Sequence, residues 1–330
     1  MGNWELPPRA TNLVAGKMET PGVYLQTMNM TQINERLKTN DLIIIPVGST
    51  ECHGAAQPIG EDTFLVSRMA EQVAAKTGCT VAMPVWYGSH PYNHLGMPGT
   101  VVVPEDVFLA NLRAIIAGLW NMGFRKQIFL NGHGQEEVIP LALHQWAKQY
   151  QVPSILVSLH WETVIHEYLK DKAHGGKYLE TRFQHADEAE ASYSLALFPE
   201  FCDMKLAVDN KPSGYLRTSD GFMHIDGGGE VYHAPIKGHE HVGLSGIELA
   251  MYPEGVIGSP TLASADKAID GLNTLLDYMT RLISEIMEKF PAGKLPPTEE
   301  CTQRDPKEVE ALLKGPLNGG KHIYTVSYPP

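Results

Sequence analysis

Glu51 and His53 stand two residues apart just beyond the apolar run 42–47 (LIIIPV), which Gly48 closes. Read as the continuation of a strand, that spacing points both side chains to one side of the backbone. Asp62 follows on the approach to the next helical segment, and His133 sits in the glycine-flanked stretch Asn131, Gly132, Gly134 (NGHG). Carboxylate oxygen and neutral imidazole together suit Zn²⁺, Mn²⁺ or Fe²⁺, and a carboxylate such as Asp62 can bridge two ions that share a water. Taken singly, Glu51 and His53 would read as a surface ion pair and His133 as a satisfied buried histidine. Their recurrence at successive strand ends is what points to a metal site.

The elements that must position these residues follow from the apolar pattern. Residues 42–47, 81–85, 128–130 and 154–159 predict short buried strands, and residues 63–76, 107–122, 138–149 and 265–290 predict helices. Pro104, Glu105 and Asp106 open the second helix and Gly123 stops it. Strand and helix alternate, which predicts an α/β, three-layer fold with a mainly parallel sheet flanked by helices, its ligands at the carboxyl ends of the strands. The segments GSTECHG and NGHGQEE both lie at such ends. Residues 203–258 are rich in Gly, His, Asp and Pro without a long periodic segment, which predicts a loop-rich insertion within a single domain over residues 1–290. The extension 291–330 is expected to dock on a neighbouring subunit or stay mobile.

Composition narrows the partners. A chain of 330 residues with 43% hydrophobic and 19% charged residues is expected to bury a large core. A net charge of -12 argues against nucleic-acid backbones, whose nonspecific binding needs clustered Lys and Arg, and leaves small neutral or cationic molecules. Residues 1–17 lack an apolar targeting core and no later run reaches about 18 apolar residues, so no membrane partner is expected and the cytoplasm is the default. Cys52, Cys79, Cys202 and Cys301 are widely spaced, as reduced thiols are.

Four segments, in order, carry a family resemblance. PVGSTECHG at 46–54 with Asp62 nine residues after His53 resembles the ExH and GxD signature of the creatininase family. NGHG at 131–134 is similar to its second motif, HADEAEASYSLALFPE at 185–200 to its HxGxxETSxxLALxP segment, and GVIGSPTLAS at 255–264 to the stretch before its last helix. The resemblance runs from about residue 27 to residue 290. It implies a creatininase-like domain with two divalent ions per subunit, Zn and/or Mn with Fe as an option: Glu51, Asp62 and His133 around one, His53 and bridging Asp62 around the other. It also implies a homo-oligomer, a hexamer in similar proteins.

The creatinine-cleaving member of the family adds a glutamate two residues after the NGH histidine, where this chain has Gln135. Glu136, Glu137 and Glu190 are the candidates to replace it, and Glu190, inside a matching motif, is favoured as ligand or as a carboxylate beside the ligands. His185 is the candidate proton carrier. On the substrate side stand His94, Gly134 and Trp161, while Thr181 occupies the place of a second pocket tryptophan. Cys52 is expected to pack on the opposite face, His239 and His241 to sit in a solvated loop, and Gly227 to Gly229 not to cradle phosphate.

The implied chemistry is hydrolysis of a small cyclic substrate by metal-activated water. The missing indole and glutamate favour hydrolytic C–C cleavage of a diketo-inositol ring. A cyclic amide or formamide is the alternative reaction, and a silent metal-binding scaffold the alternative class.

Overall fold

The computed structural model describes residues 22–89, 96–135, 137–210 and 253–326. His94, Glu136, His239, His241, Gly227 to Gly229 and most of the expected 203–258 insertion lie outside them.

Four parallel strands form the sheet in the order β2-β1-β3-β4: β1 (Leu42–Val47), β2 (Thr80–Val81), β3 (Lys126–Asn131) and β4 (Ile155–His160). β1 and β3 pair over their whole length, Leu42 with Lys126 through Val47 with Asn131, so their carboxyl ends finish level. The second strand is shorter than the sequence suggests. Ala82 N still donates to Ile44 O at 2.8 Å, and the chain then rejoins β1 at Val85 as an isolated bridge to Val47.

Helices cover both faces. Side chains alternate along each strand, so Leu42, Ile44, Ile128 and Leu130 join one core while Ile43, Ile45, Val47 and Phe129 join the other. The first core is closed by α2 (Glu61–Thr77), α5 (Trp161–Ile165), α6 (Glu188–Leu197) and α7 (Ile269–Lys289). The second is closed by α3 (Glu105–Met122) and α4 (Val138–Tyr150). The helix α1 (Met30–Thr39) precedes the sheet with an Asn29–Gln32 capping box. A 3-10 turn at Ala265–Lys267 precedes α7, so the closing helix starts later than its apolar spacing suggests.

The C-terminal extension folds back onto its own chain. After the short α8 (Thr298–Cys301), α9 (Pro306–Lys314) buries Leu312 in the second core, where Ile323 joins it. Asp305 caps α9 by accepting from Lys307 N at 2.8 Å.

Candidate metal centre

The site forms where β1 and β3 end against the start of α2. Gly48 and Gly132 allow this approach: a Cβ on Gly48 would lie 2.3 Å from Thr63 Oγ1, and one on Gly132 would lie 2.5 Å from the Asp62 carbonyl. Bare backbone therefore lets the first turn of α2 drop between the strand ends, carrying Asp62 with it. Glu51 and His53 lie in irregular chain beyond β1, not on the strand itself. Their shared orientation comes from anchoring: Glu51 N donates to Ile59 O at 2.8 Å, Cys52 N to Thr100 Oγ1 at 2.9 Å, and Val101 N to Thr50 O at 2.9 Å. Cys52 turns away from the cluster, its sulfur where a Cβ on Gly255 would fall.

Glu51, His53, Asp62 and His133 come together, all buried. His133 Nδ1 lies 2.8 Å from Glu51 Oε2 and 3.3 Å from Asp62 Oδ2. The other Asp62 oxygen, Oδ1, lies 3.8 Å from His53 Nε2. One carboxylate thus presents one oxygen to each of two imidazoles, which is the disposition of a bridging ligand. Glu61 Oε2 and Glu190 Oε2 each stand 3.7 Å from the same His53 nitrogen.

The donor set fits divalent ions. His53 Nε2 and Asp62 Oδ2 are buried without a directed hydrogen bond, an arrangement that costs stability unless something else is coordinated there. Three groups of possible ligands cover the site: Glu51, Asp62 and His133; His53, Glu61 and Asp62; and Glu51, His53 and His185.

Electrostatics agree with that deficit. Burial, reinforced by the neighbouring His185, lowers the His53 pKa to about 3, so its imidazole is neutral and its nitrogen lone pair available. Burial raises Asp62 to about 6 and Glu61 and Glu190 well above the usual carboxylate range, the last two with Asp62 and each other's neighbours adding repulsion. Burial opposes charge on His133, but Glu51 and Asp62 outweigh it and hold its pKa well above the ordinary value.

His185 stands nearer the cluster than its motif alone suggests. Its ring lies 4.6 Å from that of His53, Nε2 is 2.7 Å from Cys52 O, and Nδ1 is 3.6 Å from Glu51 Oε1. The carbonyl can only accept, so Nε2 is the donor, and in the neutral ring Nδ1, on the site side, is the basic nitrogen. The ring is held from behind by a two-way backbone bridge with Ile257 and by Ala186, which takes a left-handed φ of 49°. Glu190 accepts from Ala186 N, and Asp187 caps α6 through Ala189 N and Glu190 N at 2.8 and 3.0 Å.

Other sequence candidates are not gathered in. Trp161 is buried between Phe183 and Tyr193 in the first core, where α5 turns it inward immediately after β4. Gly134 is exposed at the rim beside His133, and Glu137 points to solvent. Thr181 is tied to Glu188 Oε2 through its N and Oγ1, both at 2.8 Å. Glu61 is the residue that sequence reasoning missed. Beside Asp62 it reads as an ordinary helix-start acid favoured by the dipole, and the Gly60–Glu61–Asp62 run was its only signal.

A crevice of about 140 Å³ opens onto His53, lined in part by Ala56, Gln57, Val256 and Glu254. None of the four cysteines forms a disulfide, and among the described residues no helix is long and apolar enough to cross a membrane.

Known proteins resemble this chain at several distances. The family model described as creatinine amidohydrolase matches residues 26–283. The chain is 59% identical over 310 residues to a 3-dehydro-scyllo-inosose hydrolase of Thermotoga maritima, covering 93% of this chain and 98% of that protein. It is 24% identical over 204 residues to a creatinine amidohydrolase of Pseudomonas putida, covering 58% and 78%. Among solved structures, a manganese form of creatininase superimposes with a TM-score of 0.61 at 20% identity, covering 82% of this chain and 99% of that one. A Zn–Zn form of a Glu-to-Gln creatininase variant does so with a TM-score of 0.61 at 21% identity, covering 82% and 98%. With its motifs at level strand ends and the family model spanning most of its length, the chain belongs to the creatininase family of hydrolases.

Proposed function

We propose that this hydrolase opens a cyclic polyol ketone of the diketo-inositol class by hydrolytic C–C cleavage, using two divalent ions. The observation that carries the metal half is Asp62, with one oxygen toward His133 and the other toward His53. Glu51, Asp62 and His133 would hold one ion; His53, Asp62 and a further carboxylate, Glu61 or Glu190, the other. Zinc and manganese are the ions present in the creatininase structures of like fold. When bound, such ions polarise a carbonyl and make hydroxide available near neutral pH.

The protein's own groups do the rest. His185 Nδ1 takes the proton of the attacking water and returns it to the carbon released when the ring bond breaks. The acyl carbon gains the hydroxyl and becomes a carboxylate, so water is added across one C–C bond and no redox partner is needed. Glu190 and Asp187 keep His185 in place by fixing the Ala186 turn and the start of α6. Gly134 and His94 are assigned to the substrate side.

The substrate class rests on the 59% identical Thermotoga maritima relative and on two departures from the creatinine-cleaving pattern, Gln135 and Thr181. The enclosure of Trp161 adds a third, since it removes a flat stacking wall for a planar ring. The test is kcat/KM for an inositol-derived diketone against creatinine on one metal-loaded preparation. The diketone is expected to win; a win for creatinine sinks the substrate assignment and leaves the metal site standing. Cytoplasmic residence, with which the four free cysteines agree, and assembly into a homo-oligomer belong to the same proposal.

A further inference from the structure

We infer that Glu61 is the carboxylate that replaces the family glutamate missing at Gln135, closing the shell of the second ion with His53 and Asp62. This rests on the two-ion reading above. The first observation is the environment of His53 Nε2, a buried nitrogen with no hydrogen-bond partner. Carboxylate oxygens of Glu61, Asp62 and Glu190 surround it at 3.7, 3.8 and 3.7 Å. These separations are too long for hydrogen bonds. They are close to the spacing of roughly 3.4 Å between donors that each sit about 2.0–2.2 Å from one tetrahedral ion.

The second observation is that Gln135 is occupied elsewhere. Its Oε1 accepts from Ser89 N at 3.0 Å, and its Nε2 donates to Gly48 O at 3.0 Å and Asn131 Oδ1 at 3.3 Å. The amide serves as a clamp between the two strand ends, and two of its contacts require a donor that a carboxylate lacks. The metal-binding duty has therefore moved off this position.

The third observation separates the two remaining acids. Glu61 Oε1 lies 2.9 Å from the Ser194 hydroxyl, whose one proton it shares with Gln57 Oε1 at 3.0 Å, and Oε2 is left directed at the His53 nitrogen. One oxygen fixed from behind and one presented forward is how ligating carboxylates are oriented. In Glu190 the oxygen that faces His53 is the one that accepts from Ala186 N, so that one oxygen would have to serve both an ion and the turn that carries His185. Glu61 is the ligand and Glu190 the positioning residue.

The test counts metal in the full-length protein, stripped with a chelator, reloaded with Zn²⁺ or Mn²⁺, desalted and analysed by elemental mass spectrometry. Wild type is expected to hold two ions per chain, Glu61→Gln one, and Glu190→Gln two. Chelator competition should show second-site affinity in Glu61→Gln weakened by at least about 100-fold, and in Ser194→Ala by roughly 10–100-fold, the range for losing an orienting partner. The inference is overturned if Glu61→Gln keeps two ions at wild-type affinity, or if Glu190→Gln alone drops to one. If Glu61→Gln does not fold, Ser194→Ala decides, and unchanged second-site affinity overturns the assignment. A single ion in wild type refutes Glu61 alone; no ion at all refutes the metal-hydrolase reading with it.

Discussion

The two ends of the sheet bury charge in opposite ways. At the amino-terminal end, Lys126 at the start of β3 meets Asp41 just before β1, the lysine fully buried and the aspartate nearly so. The pair is completed by backbone: Gly293 N donates to Asp41 Oδ2 at 3.1 Å and Lys126 Nζ reaches Pro291 O at 3.4 Å. At the carboxyl end, Glu51, Glu61, Asp62 and Glu190 crowd around His53, His133 and His185, four acids facing three imidazoles among the described residues. Buried charge that serves the fold arrives matched and hydrogen-bonded, whereas this cluster has an excess of negative donors. The imbalance is what cations would correct, and the matched end shows that this chain can neutralise buried charge where function does not require otherwise.

The strongest way to break the contrast is to remove the shared oxygen pair. Asp62→Asn should lose most of its bound metal by elemental analysis. Because an ion supplies several kcal/mol of charge stabilisation, kcat/KM on the preferred substrate should fall about 10³-fold or more. Full metal occupancy in this variant would end the bridging assignment. His185→Ala should separate proton transfer from metal binding: two ions retained, kcat lower by roughly 10²–10⁴-fold, KM little changed. Near-normal turnover there would show that the proton travels by another route.

The matched end should respond to the reverse experiment. Lys126→Met leaves Asp41 buried without its cation and should cost about 3–5 kcal/mol in denaturant unfolding, with metal content per folded chain unchanged. A variant as stable as wild type would mean that the pair is relaxed by water and is no counterpart to the site.

How much of this was legible depends on whether a signal was local. The apolar runs 42–47 and 128–130 announce two strands, the second of which the structure extends to Lys126–Asn131, and their level ends bring Asp62 and His133 together. Glu61 was hidden because an acid at the first position of a helix has a sufficient local explanation, and only the Ser194 hydroxyl from α6 reveals its direction. Trp161 shows the complementary limit: its motif position says nothing of which face α5 buries, and Phe183 and Tyr193 decide that. The extension carried an Asp305 cap, Pro306 at the first turn, and Val309 and Leu312 at helical spacing. Its Pro and Lys content concealed an amphipathic helix that the second core required.

The smallest expected effect is also the one that tests the charge imbalance directly. In the metal-free protein, burial raises Asp62 to about 6 and Asp187 to about 7, each from an ordinary value near 3.8, with Glu61 and Glu190 also raised. The folded chain therefore holds protons that the unfolded chain releases between pH 4 and pH 7, so metal-free stability falls as pH rises through that window. His53 runs the other way, its pKa lowered from 6.5 to about 3, but one imidazole is opposed by four carboxyls. Bound cations require the carboxylates ionised and the imidazoles neutral, so metal binding releases protons and tightens over the same window. The two trends diverge. Between pH 5 and pH 8 the gap in Tm between metal-loaded and chelator-stripped protein should widen by at least about 2–4 °C, equivalent to about 1 kcal/mol in a large domain. Lys126→Met should lower both curves together and keep the widening, because its defect lies at the other end of the sheet. A gap that stays constant with pH would mean that the buried acids are not what the cations compensate.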